Sequence, residues 1–454
     1  MRIVIVGIGK VGLALTEQLS MENNVTIIDS NPKLVDRIIN VHDVMGICGN
    51  GASYEVQLEA DCGKADLLIA ATSSDEINIL ACLVAKKLGV DHTIARIRNP
   101  EYEKQLQFMR EDLGLTMSIN PEKATAREIA RVLRFPSAIK VESFSKGRLE
   151  LVEYRVPVDS ILTGASLAEL YRKLGVRVLV CAVSRGHETI IPAGDFVLEA
   201  GDKIHVTSSP AELSAFFQRM GVFRNKASSV MIIGASRLGY YLAKELIRMK
   251  MHVKIIDRDE ARCVHMSELL PKAMVIMGDG TDSELLLEEG LEQNDGFVSI
   301  TGLDEANILM SLSVARMTEG QCKVITKINR PSLVELVENE PLIDSVFSVA
   351  SVTSELILQY VRSLKSASAS KVKTLHRLVN DQVEAVEFSV TREFPFIGVP
   401  LKDLALKSGI LLAGIVRKNG TMVIPSGGDS LQLGDDVIVV TTDATLRAIS
   451  GILQ

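Results

Sequence analysis

The sequence predicts an α/β protein built from a tandem duplicated unit. In each unit, a doubly wound parallel-sheet (Rossmann-like) dinucleotide-binding domain is followed by a small α+β domain. Three observations predict this arrangement: a glycine-rich turn near the start of each half, an alternation of apolar strands and helices after each turn, and a strand-rich block that also occurs twice. The order strand, glycine turn, helix, strand and carboxylate is a much stronger signal, especially when repeated, than a single glycine motif.

The first glycine-rich turn follows an apolar strand at residues 2–6 and precedes a helix. It consists of Gly7, Ile8, Gly9, Lys10, Val11 and Gly12. A pyrophosphate binds the free backbone N–H groups at a helix N-terminus, and glycine lets the backbone come close to it. Asp29 ends the next strand, where its carboxylate can accept hydrogen bonds from ribose hydroxyls and repel a 2′-phosphate. The first half is therefore predicted to bind NAD(H) rather than NADP(H).

The second turn has the same order of elements but lacks the middle glycine. It consists of Gly234, Ala235, Ser236, Arg237, Leu238 and Gly239, and Asp257 ends the strand that follows. The Cβ atom of Ser236 crowds the space that a pyrophosphate needs. Two interpretations stay open for this half, namely a weaker nucleotide site and a fold that is retained without tight ligand binding.

The remainder of each half repeats as well, which divides the chain into four predicted domains. Thr72 and Asn78 correspond to Thr301 and Asn307, and the block at 161–208 corresponds to the block at 397–442. Linker signals fall at 135–137, 225–229 and 366–370. The predicted dinucleotide-binding domains span 1–134 and 227–364, and the predicted small domains span 138–222 and 371–454.

Each predicted small domain contains Gly-Asp turns, such as those at 201–202 and 434–435. They can be interpreted as hairpin turns in which Gly and Asp satisfy the backbone, or as a site for a small acidic or nucleotide ligand. The first interpretation is favoured because these residue types are typical of turns without any ligand.

The composition excludes several classes of protein. With 50 basic and 57 acidic residues the net charge is −7, and no basic cluster suited to a phosphate backbone is visible, so nucleic-acid binding is not expected. Apolar runs such as 410–416 are far shorter than the ~20 residues that cross a bilayer. The amino end begins with a strand rather than a leader segment. We expect a cytoplasmic protein that reaches a membrane only through a partner.

Cysteines and histidines give no sign of a metal site. The 6 cysteines include no C-x-x-C pair, and the 7 histidines show no close pairing, so no metal ligands are predicted. Scattered cysteines fit free, mostly buried thiols in a reducing compartment.

The order of motifs resembles the regulatory RCK (also called KTN) proteins of potassium transport. The resemblance covers essentially the whole chain, and its more specific marks are the segments 71–78 and 96–100 and the Gly-Asp turns of both small domains. By this resemblance, residues 7–11 would hold the pyrophosphate, Thr72 and Ser73 the nicotinamide-side ribose or a phosphate, and Arg96 a phosphate. Thr72 and Ser73 also follow the strand at 67–70, at the sheet edge where such folds bind ligands. For Arg96, pairing with a surface carboxylate is the alternative.

In the second half, Thr301 and Lys327 occupy the positions of Thr72 and Arg96. The ammonium of Lys327 is a point charge, whereas the guanidinium of Arg96 can donate two parallel hydrogen bonds to one group. A phosphate beside Lys327 would therefore be held less specifically. The nucleotide of this half is left open, and the resemblance adds ATP or ADP as ligands that could compete with NADH.

The resemblance further implies a peripheral regulator on the inner face of the cell membrane. Such proteins form a ring, here a homo-oligomer and specifically a tetramer, that gates a membrane potassium-translocating subunit of the TrkH or TrkG type. Candidate assembly surfaces are the apolar helix residues Ile77 and Leu80 and their counterparts Ile308, Leu309 and Val314, although burial on their own sheet is the more ordinary role.

Two other functions were weighed against regulation. An NAD-dependent oxidoreductase needs an acid or base beside the nicotinamide, but the small domains lack His or Tyr at matched positions, and Tyr154 aligns with Phe388. The sequence therefore predicts a protein that is not an enzyme. A stand-alone nucleotide sensor that touches no channel stays open on the residues alone.

The first half should bind NADH about tenfold or more tightly than NADPH, because Asp29 accepts ribose hydroxyls and repels the 2′-phosphate. Calorimetric titration of both cofactors into the wild type and Asp29→Ala checks this, and the substitution should reduce the preference. Equal affinities in the wild type would contradict the assignment.

Overall fold

The computed structural model describes residues 1–102, 105, 113–134, 138–186, 188–220, 228–337, 340, 342–367, 372–378, 382–443, 446 and 448–453. The predicted linker at 135–137 lies outside the described residues, as do parts of those at 225–229 and 366–370. The four domain limits stay predictions.

The first dinucleotide-binding domain is a six-stranded parallel sheet with helices on its faces. Its elements are β1 (Arg2–Val6), α1 (Lys10–Leu19), β2 (Asn24–Asp29), α2 (Pro32–Ile39), β3 (Met45–Cys48), α3 (Tyr54–Glu59), β4 (Leu67–Ala70), α4 (Asp75–Leu88), β5 (His92–Arg96), β6 (Met117–Ile119) and α5 (Pro121–Arg134). The strand order is β3-β2-β1-β4-β5-β6, so the direction of winding reverses between β1 and β4. Such a reversal opens a crevice at the carboxyl ends of the strands, and ligands bind there.

The first small domain is an antiparallel sheet flanked by two helices. Its elements are β7 (Ala138–Phe144), β8 (Leu149–Arg155), α6 (Leu167–Leu174), β9 (Leu179–Arg185), β10 (Glu188–Ile190), β11 (Lys203–Ser208) and α7 (Pro210–Arg219). The strand order is β10-β9-β11-β8-β7.

The second dinucleotide-binding domain repeats the first. Its elements are β12 (Ser229–Ile233), α8 (Arg237–Arg248), β13 (His252–Asp257), α9 (Glu260–Leu269), β14 (Met274–Met277), α10 (Ser283–Glu288), β15 (Gly296–Ser299), α11 (Asp304–Met317), β16 (Lys323–Lys327), α12 (Pro331–Val337), β17 (Ser345–Phe347) and α13 (Val349–Ala367). The order β14-β13-β12-β15-β16-β17 is the same doubly wound order as in the first sheet. The predicted fold class and its duplication are thereby confirmed.

The second small domain has a matching sheet of β18 (Val372–Leu378), β19 (Val383–Ser389), β20 (Ile410–Val416), β21 (Met422–Val423) and β22 (Asp436–Thr441). Where the first small domain has α6, this domain has only the short 3-10 helix Leu401–Asp403. One face of each small sheet meets the other sheet, so that Phe144 and Leu149 pack in one apolar cluster with Val383 and Ala413.

The last helix of each dinucleotide-binding domain packs on the other half of the chain. Helix α5 lies against α8, and Leu133 contacts the first residue of β15, Gly296, where a Cβ would come within 2.7 Å of its Cδ2. Helix α13 lies against α1, and its Ile357 and Val361 join the core of the first domain. The halves therefore exchange helices, and each dinucleotide-binding domain completes its core with a segment of the other.

The apolar helix residues proposed for assembly differ in exposure. Leu80 and Leu309 are exposed, whereas Val314 is fully buried on its own sheet. For Val314 the more ordinary role, burial on its own sheet, is the one observed, because its side of α11 packs against the strands. Within the described part of the chain, no helix has the length and apolar character needed to span a membrane.

Replacing Ile357 by Ala should destabilise the first half although the residue belongs to the second. Ile357 is 2% exposed and loses contacts in the first domain's core, which typically costs about 2–5 kcal/mol. Hydrogen exchange should show reduced protection of β1 and α1. Leu336→Ala on α12, where the side chain is 75% exposed, is the control and should change little. Unaltered protection of α1 in the Ile357→Ala variant would contradict the exchange of helices between the halves.

Candidate functional site

Gly7 and Gly12, the first and last glycines of the first turn, are required by the packing of the backbone around them. Gly7 has φ +91°, and a Cβ there would lie 2.7 Å from the backbone nitrogen of Thr72. A Cβ at Gly12 would collide with the carbonyl oxygen of Gly7. These glycines bring the turn against β4 and the helix against the turn, as a tight strand-to-helix connection requires.

The middle glycine, Gly9, has no such role. Its φ of −70° is open to any residue, and a Cβ built there meets nothing within 4 Å. Gly9 is the N-cap of α1 and offers no side chain to the first N–H groups of the helix, which have no acceptor within it. The space above Gly9 and these donors together suit a bound anion.

In the second turn, a side chain accepts a hydrogen bond from one of the backbone N–H groups at the start of the helix. Ser236 is the N-cap of α8, and its hydroxyl accepts a hydrogen bond from the backbone N–H of Gly239 at 3.3 Å. The sequence predicted only that the Cβ of Ser236 crowds a pyrophosphate. The structure adds that the side chain already occupies one of the N–H groups that an anion would use.

The side chains within the turns separate into two groups. Ile8, Val11 and Leu238 are buried in the cores, so only their backbone atoms are placed to face a ligand. Lys10 and Arg237 are exposed at the starts of α1 and α8. Their cationic groups are therefore the turn side chains that could reach phosphates.

The carboxylates at the ends of β2 and β13 also shape the turns. Asp29 Oδ2 accepts a hydrogen bond from the Ile8 N–H at 2.6 Å, and its Oδ1 accepts one from the Asn31 N–H at 2.9 Å. Asp257 Oδ2 accepts one from the Ala235 N–H at 2.7 Å. The role predicted for Asp29, accepting ribose hydroxyls, would thus be combined with fixing the turn, so Asp29→Ala would weaken both.

An asparagine that the sequence showed only as a repeat position organises the edge beyond β4. Asn78 Oδ1 accepts hydrogen bonds from the backbone N–H of Thr72 at 2.8 Å and from its hydroxyl at 2.7 Å. Its amide group donates to the backbone carbonyl of Arg96 at 2.8 Å. Asn307 makes the same bonds to Thr301 and to the carbonyl of Lys327. The amide thereby ties the ends of two neighbouring strands together.

Thr72, Ser73 and Arg96 are brought to the same edge as the first turn. Arg96 Nη1 donates to the carbonyl of Thr72 at 2.8 Å, and Ser73 is exposed next to it. The arginine that pairs with a carboxylate is instead Arg98, whose Nε lies 2.6 Å from Glu122 Oε1. Glu122 is buried, so this ion pair does not lie on the surface, and the role of Arg96 stays a prediction.

Basic groups from the two halves act on one another near the turns. Burial lowers the pKa of Arg96, and Arg98 and Arg237 lower it further. Burial likewise lowers the pKa of Lys327, with Lys10 contributing in the same direction. Carboxylates act in the opposite direction, because Glu122 and Asp75 raise the pKa of Arg96, and Asp304 and Glu122 raise that of Lys327.

The Gly-Asp turns of the small domains are explained without a ligand. Asp202 is buried, accepts a hydrogen bond from the Glu199 N–H at 2.9 Å, and pairs with Arg185 at 2.8 Å. Asp435 makes the equivalent contacts with Gln432 and Arg417. The contacts support the favoured interpretation, in which these residues satisfy the backbone.

Comparison with known proteins places both kinds of domain in one family. The model of the TrkA-N domain matches residues 3–121 and 230–349, and that of the TrkA-C domain matches 151–221 and 385–454. The chain is 33% identical to the Trk system potassium uptake protein TrkA homolog 1 of Methanosarcina mazei, over 97% of each chain.

Two solved structures share the fold. The GsuK RCK domain superimposes with a TM-score of 0.62 at 19% identity, covering 97% of this chain and 92% of the other. The GsuK channel bound to NAD superimposes with a TM-score of 0.63 at 19% identity, covering 97% and 77%.

Exchanging the middle residues of the turns should affect the two halves in opposite ways. Gly9→Ser should weaken NADH binding about tenfold or more, because a side chain enters the open space and its hydroxyl caps an N–H group. Ser236→Gly frees the Gly239 N–H and should leave nucleotide binding unchanged or improve it. Calorimetry on both variants measures the difference. An unchanged NADH affinity in Gly9→Ser would show that the ligand does not approach this glycine.

Proposed function

The chain belongs to the family of Trk system potassium uptake proteins TrkA, and we propose that it is a nucleotide-binding regulatory subunit that gates a Trk-type potassium uptake system. The observation that carries the proposal is the open first turn at the N-terminus of α1, in a chain that matches its relative over 97% of its length. Gly9 is exposed there, and the fold does not require a glycine at this position. A bound ligand would explain why the position is occupied by glycine.

The ligand proposed for the first half is NAD(H). Residues 7–12 would hold the pyrophosphate, Asp29 the ribose, Thr72 and Ser73 the nicotinamide-side ribose or a phosphate, and Arg96 a phosphate. For the second half we propose a weaker site built from Gly234, Ser236, Arg237, Leu238, Gly239, Asp257, Thr301 and Lys327. ATP or ADP is the proposed competing ligand, because phosphates would meet the same donors and cations.

The position of the turns suggests how a nucleotide would act on the conformation. Lys10 is close enough to influence Lys327 electrostatically, and Arg237 is close enough to influence Arg96. Asp304, Glu122 and Asp75 already place negative charge beside these cations, and an anionic nucleotide between them would offset the remaining repulsion. Since a ligand shifts an equilibrium only by binding one conformation better, nucleotide would favour the arrangement in which the two halves approach most closely.

Ring assembly would use the outer helices of the dinucleotide-binding domains. Leu80 on α4 and Leu309 on α11 are exposed, and the neighbouring helices α3 and α10 add exposed Tyr54, Leu58 and Leu287. An apolar surface shared by both halves suits contacts between copies. We propose a tetramer of these two-unit chains.

We place this tetramer on the inner face of the cell membrane, attached to a TrkH- or TrkG-like potassium-translocating subunit. The family name of the relatives supports potassium uptake as the process, and the location follows from the proposed partner. We propose no catalytic step. Tyr154, considered for an oxidoreductase, has a buried hydroxyl, and burial raises its pKa to about 12.

Nucleotide should change both the shape of the assembly and the flux it controls. Light scattering should give a tetramer, and small-angle scattering should show altered compactness with NADH or ATP. In liposomes that contain the membrane subunit, potassium flux should respond to NADH with the wild type but not with Gly9→Ser, whereas Ser236→Gly should keep the response.

The same measurements separate the alternatives. A change of compactness without any effect on flux would favour a stand-alone sensor over a channel regulator. A monomer that is indifferent to nucleotide and to flux would contradict the proposal as a whole.

A further inference from the structure

Three side chains with metal-ligand chemistry meet away from the nucleotide turns, where the two halves join. Glu142 lies on β7, Glu355 on α13 and His376 on β18. One ligand atom from each, a carboxylate oxygen or an imidazole nitrogen, lies within 4.8 Å of the other two. The three residues come from three predicted domains, so no local spacing marks them. The sequence predicts no metal ligands because these three residues lie far apart along the chain and form no close pair.

The cluster is held firmly by its surroundings. Glu142 and His376 are only 5% and 7% exposed, and His376 Nδ1 lies 2.7 Å from Glu142 Oε2. The ring of Phe144 packs edge-on against His376 at 4.8 Å between centroids. Glu355 is half-buried and lines a cleft of about 1580 Å³ together with the other two. A metal ion therefore has both a preformed set of ligands and an entry path.

The positive charge that balances the carboxylates is replaceable. Lys140 Nζ lies 2.6 Å from Glu142 Oε1 and 3.7 Å from Glu355 Oε1, and the side chain of Lys140 is 43% exposed. Burial alone would lower the pKa of His376, but Glu142 and Glu355 outweigh it and raise this pKa.

Other titratable groups also face the cluster. Glu128 of α5 is half-buried, its partial burial raises its pKa to about 7, and Arg131 of the same helix pairs with it at 2.8 Å. Gln359 of α13 lies 3.2 Å from His376 Nδ1.

We propose that Glu142, Glu355 and His376 form a binding site for a divalent transition-metal ion of the zinc class. One imidazole nitrogen and two carboxylate oxygens are ligands that zinc accepts, whereas calcium and magnesium prefer oxygen ligands alone. The ion replaces the ammonium of Lys140 and the proton of His376. It ties together a strand from each small domain and the exchanged helix α13.

The site has a regulatory consequence, and this part rests on the proposed function. Helix α13 packs against α1, which carries the first glycine turn at its N-terminus. An ion that fixes α13 to β7 and β18 restricts the motion of that turn relative to the small domains. Zinc should therefore change the affinity for NADH, and NADH should change the affinity for zinc by the same factor.

Zinc chloride titrated into the chelator-treated full-length chain, in competition with a chromophoric chelator, tests the site. The wild type should bind one more zinc ion per chain than His376→Gln, and Glu355→Gln should weaken this binding about tenfold or more. His265→Gln on α9, an exposed histidine, is the matched control and should bind as the wild type does. Lys140→Met removes the competing ammonium and should bind zinc at least as tightly.

Two further readouts distinguish this site from others. Binding should weaken from pH 8 to pH 6 because protons compete for His376. Cobalt bound there should give a spectrum without thiolate charge-transfer bands, which separates the site from the free cysteines.

Equal zinc binding by the wild type and both His376→Gln and Glu355→Gln would overturn the site. Zinc binding without any change in NADH affinity would overturn the coupling to the first turn. Zinc binding is measured on the chain alone, without the membrane subunit. A chain that binds zinc but has no effect on potassium flux would therefore contradict the proposed function and still support the zinc site.

Discussion

The exchange of helices between the halves is the constraint on which the rest of the structure depends. Each parallel sheet leaves an apolar surface beside its nucleotide helix, and the helix that follows the sixth strand of the other half covers it. Leu133 and Ile357 are buried in this way. Because separating the halves would expose both surfaces to water, the apolar burial holds the two dinucleotide-binding domains together. It also brings the halves into polar contact, because the Asn120 side-chain amide donates a hydrogen bond to the Tyr241 hydroxyl at 3.0 Å.

The duplication leaves two sites that share a framework and differ in chemistry. Asp29 and Asp257 fix their turns by the same hydrogen bond, and Asn78 and Asn307 tie the same strand ends. The differences lie at the positions that a ligand would touch, such as Ser236 in place of Gly9. Retention of the framework with divergence of the contact residues fits two sites that respond to nucleotide unequally.

Much of the fold could be predicted from the sequence because its signals are local. The glycine turns, the strands and the helices each leave a pattern within about twenty residues. The helix exchange leaves none, because the apolar face of α5 has the same pattern whichever sheet covers it. The hydrogen bond from the Ile8 N–H to Asp29 and the cap formed by Ser236 depend on the geometry of the turn, and neither follows from spacing. The burial of Ile8, Val11 and Leu238 likewise limits their predicted role to the backbone.

We propose that nucleotide acts at the junction of the two halves. Pulsed electron resonance between spin labels at Met21→Cys in the first half and Val264→Cys in the second tests it most directly, with exposed Cys48 replaced by Ser. The account predicts that NADH shifts the distance distribution towards shorter values, and that Gly9→Ser abolishes the shift. A distribution that NADH leaves unchanged, at concentrations where calorimetry shows saturation, would contradict it.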